Sequence, residues 1–163
     1  LSTNSIERKN HLKIIHSEIF NAESYEWLIA DAKLNDDKTK EMEYAKKYYE
    51  DSLDTVKVGI ASYVYGKCLI EYEDKINDAK EKFKKAFFIG GYLKAIEKLK
   101  EYFDDDIKNE YQCKYEEKTI TGSECFLYGL LLLSDPHSDE KRIAYIIDIF
   151  YYGHNEKNDR NCL

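Results

Sequence analysis

The sequence predicts an all-α protein, a helical-hairpin solenoid of about 8–9 helices. Three observations predict it. Proline occurs once and glycine seven times in 163 residues, which starves a β-sandwich or β-barrel of turn residues. Apolar residues recur at spacings of three and four along most of the chain, the period of an amphipathic helix. A glycine also returns in the same apolar frame, as it does when one supersecondary unit is repeated and stacked. The length suits a single helical-repeat domain, 1–163, and 43% hydrophobic residues supply an ordinary core.

Taken in order, the first helix begins near Asn4, where Asn4 and Glu7 have capping-box spacing, with Leu12, Ile15 and Ile19 on one side. A second covers 24–34 and stops at Asn35-Asp36-Asp37. A third, 39–52, carries Met42, Ala45, Tyr48 and Tyr49 as its apolar side. The fourth runs over 56–72 and the fifth over 77–89, where Gly90-Gly91 suits a left-handed helix stop. A sixth, 92–103, ends in the acidic run Asp104-Asp105-Asp106, and 107–121 holds a short helix and a loop. The last two helices cover 123–133 and then the stretch to about residue 152, with Asp135 as N-cap and Pro136 at the first helical position.

The repeat aligns Tyr63-Val64-Tyr65-Gly66-Lys67-Cys68-Leu69 with Phe126-Leu127-Tyr128-Gly129-Leu130-Leu131-Leu132, an offset of 63 residues. At the same offset Ala86 to Gly90 falls on Ile149 to Gly153, so a second glycine follows the first by 24 residues in both copies. A shorter period of 34 relates Ala45 to Ala79, Tyr49 to Phe83, and Trp27 to Ala61 and Ala95. The mechanics are those of a close helix crossing, where one side chain must nearly vanish. Gly66 supplies that gap, Ala79 and Ala86 keep the opposing helix slim, and Phe83 is expected to fill space toward the next pair.

The set Ala61-x4-Gly66-x2-Leu69, Asp74, Ala79, Phe83, Ala86, Gly91, Ala95 resembles a Sel1-like repeat, a relative of the tetratricopeptide repeat. The best repeat is 57–91, with the likeness running on to residue 99, and the second is 122–153. Degenerate copies fall at 24–54, where Ala32 stands for the glycine, and at 92–121, where Lys100 takes its place. The resemblance implies hairpins stacked as a short right-handed α–α superhelix that holds a peptide or partner protein in a concave groove. It further implies which residues line that groove, three before, one after, four after and five after the gap residue. These are Tyr63, Lys67, Ile70 and Glu71 around Gly66, and Phe126, Leu130, Leu133 and Ser134 around Gly129. The outer frames add Ile29, Lys33, Glu97 and Glu101. Simple packing or solvation is the plainer fate of several of them.

Charge narrows the partners. Twenty-five basic against 32 acidic side chains give −7, a surface that repels nucleic-acid backbones and anionic lipid alike. The sequence therefore predicts no nucleic-acid and no membrane partner. Cys68, Cys113, Cys125 and Cys162 are 45, 12 and 37 residues apart, neither a zinc pattern nor a disulfide scaffold, which suits the reducing cytoplasm. Cys68 and Cys125 sit in apolar helical frames and are expected to pack as small hydrophobes. The chain starts at Leu1 in place of Met, as a trimmed domain or processed product would.

No HExxH, GxxxxGK[ST] or GxSxG is present, His11 and His16 are five apart, and the acidic run lacks the spaced ligands of a calcium loop. The expectation is a protein with no enzymatic activity, no cofactor and no metal. Fifteen Tyr, seven Phe and one Trp suit both a core and a protein-binding surface. The first functional expectation is an adaptor binding a peptide or partner protein. The alternative is an acidic immunity or inhibitor protein that neutralises a cognate toxin or enzyme, since a negative, Tyr-rich surface fits a basic active site. The final pair, with Leu130 to Leu133 and Ile143 to Phe150, is apolar enough that the surface around Leu131, Ile147 and Tyr151 is expected to be covered. A second copy, making a homodimer, is one way to cover it.

Overall fold

The computed structural model describes residues 22–135 and 139–155, and every regular element in them is an α-helix. Seven helices follow one another among the described residues. They are α1 (Ala22–Leu34), α2 (Lys38–Asp51), α3 (Val58–Glu73), α4 (Ile76–Phe88), α5 (Lys94–Glu116), α6 (Gly122–Leu133) and α7 (Glu140–Asn155). The chain divides into two compact units, residues 1–95 and 96–163. The helix expected from Asn4 lies outside the described residues.

In the first unit each helix packs on its neighbour in sequence, α1 on α2, α2 on α3, and α3 on α4. Asn35-Asp36-Asp37 does break the chain. Asp36 adopts φ 52°, and Asp37 caps α2 by accepting the Lys40 N–H at 3.1 Å. The core between α1 and α2 is aromatic, with Tyr25 and Tyr48 fully buried and stacked at 5.3 Å. The turn from α3 to α4 takes only two residues because Asp74 enters the left-handed region at φ 51°, and the Lys75 N–H folds back to the Leu69 carbonyl at 3.1 Å. α4 stops as expected at Gly91, φ 61°, where the Tyr92 N–H donates to the Ala86 carbonyl at 2.9 Å.

Gly66 stands at the α3/α4 crossing. A Cβ there would lie 2.9 Å from the ring of Phe83, so Phe83 fills the gap within its own hairpin and not, as expected, toward the next pair. Ala79 and Ala86 are fully buried beside it. At the open end of the hairpin Gly59 and Gly90 bring backbone onto backbone, since a Cβ on Gly90 would fall 2.1 Å from the Gly59 Cα.

The second unit differs from expectation in two places. The separate helices expected at 92–103 and 107–121 are one helix, α5; with the helix expected from Asn4 outside the described residues, seven of the expected 8–9 are seen. Leu99, Phe103, Ile107 and Tyr111 are all buried and recur every four residues, so one apolar stripe runs straight past the acidic run. No Gly or Pro interrupts it, and Asp104 is paired 2.6 Å from Lys108 one turn on. Asp135 does not cap the last helix. Asp139 does, accepting the Arg142 N–H at 2.8 Å, while Asp135 is spent on Lys108 at 2.8 Å and on Arg142.

α6 opens with a capping box in which Thr121 and Glu124 satisfy each other's backbone N–H. It pairs with α7, and α5 meets both through Tyr111 on Tyr128 at 6.4 Å and Tyr115 on Tyr145 at 5.8 Å.

Candidate functional site

α1 and α3 face one another across α2 and leave a hollow of about 280 Å³. From α1 come Glu26, Ile29, Ala30 and Lys33, one face at spacings of three and four. From α3 come Tyr63, Val64, Lys67, Cys68 and Glu71, again one face. Glu41 of α2 closes the floor. A second hollow, of about 350 Å³, adjoins the first through Glu71 and is lined by Lys38, Thr39, Met42 and Tyr72.

Glu41 is the chemically unusual member. Its carboxylate is buried, with 5% exposure, on the same side of α2 as Tyr44, Ala45 and Tyr48. It accepts the Tyr72 hydroxyl at 2.6 Å and the Cys68 thiol at 4.0 Å. The bond to Glu41, with burial behind it, raises the Tyr72 phenol above its ordinary range. Burial first, and the charges of Glu41 and Glu71 next, push the Cys68 thiol up to about 12, so it stays a protonated donor. At the rim Glu26 accepts the Tyr48 hydroxyl at 2.9 Å. The lining thus carries apolar walls, two lysines and three carboxylates, a mixture that suits the backbone and side chains of a polypeptide.

Of the expected groove residues, the structure brings Ile29, Lys33, Tyr63, Lys67 and Glu71 together here. Tyr63 also leans on Phe83 at 5.8 Å and on Tyr92 at 5.1 Å, so one edge of its ring belongs to the hairpin core. Ile70 is half-buried and is not part of the lining. The remaining six belong to the second unit, where Leu133 and Ser134 stand exposed at the end of α6. Phe126 packs on Phe150 at 6.2 Å inside its own hairpin, and Leu130 is half-buried. Glu97 and Glu101 stand exposed on α5, four residues apart, with Asp105 continuing the line and Lys98 paired to Glu101.

Sequence reasoning missed Glu41 and Glu26. Glu41 left a signal, a charged residue on an otherwise apolar helix face. Met42 and Tyr49, read as core, are only half-buried.

Elsewhere, Cys68 and Cys125 are buried thiols, as expected, and Cys113 is an exposed one. Leu131 is fully buried, while Ile143, Ile147 and Tyr151 of α7 are 43%, 60% and 69% exposed along one stripe. No helix among the described residues is long and apolar enough to cross a membrane, and no three metal-ligating side chains among them converge. No protein-family model, curated protein or solved structure matches the chain.

Proposed function

We propose that this chain is a protein-interaction module of the cytoplasm, not an enzyme, and that its first unit holds an extended polypeptide between α1 and α3. The hairpins α1/α2, α3/α4 and α6/α7 act in this reading as units of a Sel1-like, tetratricopeptide-related solenoid. The observation that carries the reading is the open hollow of about 280 Å³ in which Ile29, Lys33, Tyr63, Lys67 and Glu71 meet. Lys33 and Lys67 enter no ion pair with described residues, so their charges are available to a partner. Aromatic and aliphatic walls supply buried area, and the mixed rim supplies register.

The experiment is a peptide-display selection on the full chain, counter-selected against Ala30→Trp. Ala30 is exposed and lines the hollow, so the indole blocks the groove and leaves the core untouched. Selected peptides are expected to bind the wild type and to lose at least about tenfold in affinity on the blocked variant. Equal binding to both would remove the groove from the account.

A second reading, the acidic inhibitor, is favoured by one observation, the exposed line of Glu97, Glu101 and Asp105 on α5. Such a ridge suits a basic enzyme surface. Hydrogen exchange with a bound partner separates the two, since the adaptor protects α1 and α3 and the inhibitor protects α5.

A further inference from the structure

Three helices of the first unit build a second polar cluster that shares no residue with the groove. Tyr49 of α2 and Tyr65 of α3 stack with ring centroids 5.5 Å apart. α4 brings two lysines onto this pair. The Lys82 ammonium lies 4.2 Å from the Tyr49 centroid and 5.7 Å from that of Tyr65. The Lys85 ammonium lies 5.1 Å from the Tyr49 centroid and donates to its hydroxyl at 3.1 Å. Gly66 explains the placement. A Cβ there would lie 3.2 Å from the Lys82 Cβ, so the lysine stem rests directly on α3 and its tip reaches the rings.

Neither lysine enters an ion pair with a described carboxylate. Two like charges are therefore gathered over one phenol, held by cation–π attraction, on a chain whose net charge is −7. The phenol reports the resulting field. Burial alone would raise Tyr49, yet the hydrogen bonds and charges of Lys85 and Lys82 bring it below its ordinary value.

We propose that Tyr49, Lys82 and Lys85 form a binding site for a phosphate-type dianion, either free phosphate or a phosphate monoester. The Tyr49 oxygen accepts from Lys85 through a lone pair, which leaves its own proton to donate. Two ammonium groups and one hydroxyl offer three donors and two positive charges, matched to three terminal oxygens carrying nearly two negative ones. A carboxylate, with one charge and two oxygens, leaves one cation uncompensated. Tyr65 forms the apolar wall. Two lysines over one phenol serve one phosphoryl group and not the repeating backbone of a nucleic acid, whose neighbouring phosphates would meet a chain of net charge −7.

The test is a titration of the full chain with inorganic phosphate, followed by NMR of the lysine Cε and tyrosine ring carbons at constant ionic strength and about pH 7.5, where the dianion predominates. Saturable shifts at Lys82, Lys85 and Tyr49 are expected, weakened at least about tenfold by Lys85→Gln with helix content and melting unchanged. Tyr49→Phe is expected to weaken binding by about threefold, the loss of one neutral donor. A parallel titration with phenyl phosphate tells the source: tighter binding than inorganic phosphate assigns the site to monoesters, weaker binding to the free ion. Non-saturating shifts that acetate or chloride reproduces would overturn the proposal, as would full binding in the Lys82→Gln/Lys85→Gln double variant.

Discussion

The hairpins α3/α4 and α6/α7 solve one packing problem with different connections. Two residues join α3 to α4 and six join α6 to α7. The aromatic ring that fills the glycine gap moves by the same amount, since Phe83 lies 17 residues after Gly66 and Phe150 lies 21 after Gly129. A Cβ on Gly129 would lie 2.4 Å from the Phe150 ring. The residue three before each glycine then finds that same ring, Tyr63 on Phe83 and Phe126 on Phe150. In this register Ile146 and Gly153, both buried, occupy the places of Ala79 and Ala86. The alignment at an offset of 63 is thus sound over the first helix and slips by one turn over the second. A longer loop can lengthen a hairpin, but it cannot move the crossing away from the one position where a side chain is absent.

The comparison has functional content. Tyr63 and Lys67 border an open hollow because α1 stands opposite α3. Their counterparts Phe126 and Leu130 in the second unit are half-buried as Tyr63 and Lys67 are, and Phe126 meets Phe150 as Tyr63 meets Phe83. The same frame meets its own hairpin's ring in both units, and in the first α1 adds the opposing wall that makes a groove.

The largest expected effects attack the crossings. Gly66→Leu and Gly129→Leu should each cost more than about 3 kcal/mol, enough to unfold a marginal domain, because a branched side chain must displace a ring. Thermal unfolding by circular dichroism checks this, and wild-type melting in either variant breaks the equivalence. Phe83→Ala should cost about 3–4 kcal/mol and Phe150→Ala about 1–2, because Phe83 is fully buried and Phe150 only half. Denaturant midpoints give that ratio directly. A reversed order would mean that the second ring carries the crossing more than its burial allows.

The glycines of the α4 stop rank next. Gly90→Ala drives a methyl into the Gly59 backbone and is expected to cost about 2 kcal/mol. Gly91→Ala meets no atom but must hold φ near +61° at a cost of about 1 kcal/mol. A larger penalty at Gly91 than at Gly90 would argue against the close approach of α3 and α4.

Ion pairs come after these. The Lys108 hydrogen bond, against a smaller effect of burial and with help from Arg142, holds the Asp135 carboxyl below its ordinary value. Lys114 and Thr121 hold Glu124 low against its burial. A carboxyl depressed in the folded state stabilises above its unfolded pKa and loses that contribution as pH falls through the folded one. Asp135→Asn should therefore cost about 1 kcal/mol at neutral pH, and the gap from wild type should close below about pH 4. Urea titrations at the two pH values read it. Ile147→Lys should change stability by less than about 0.5 kcal/mol, since the side chain is 60% exposed, and light scattering of both proteins shows whether the α7 stripe joins two copies.

Much of this was legible in the residues. Helix class, the helix limits from α1 to α4 within a few positions, and the gap role of Gly66 all follow from spacing. The single long α5 was legible too, in the run Leu99, Phe103, Ile107, Tyr111 and in the i,i+4 spacing of Asp104 and Lys108, but three consecutive aspartates look like a stop. The register slip was hidden because an offset read from one helix says nothing about the loop that follows. Five of the twelve expected groove residues meet at one hollow, since helix periodicity fixes which side chains share a face. What periodicity lacks is the opposing wall, so Glu41 was legible as a charge on an apolar face, while its place under the groove and the closure of Phe126 on Phe150 were not.

The most direct measurement is a backbone-amide chemical-shift map of the full chain with a display-selected peptide. The account predicts shifts clustered at Ile29, Lys33, Tyr63 and Lys67, lost in Ala30→Trp, with Phe126 and Leu130 unmoved. Shifts centred on Phe126 and Leu130, or a map unchanged by Ala30→Trp, would contradict it.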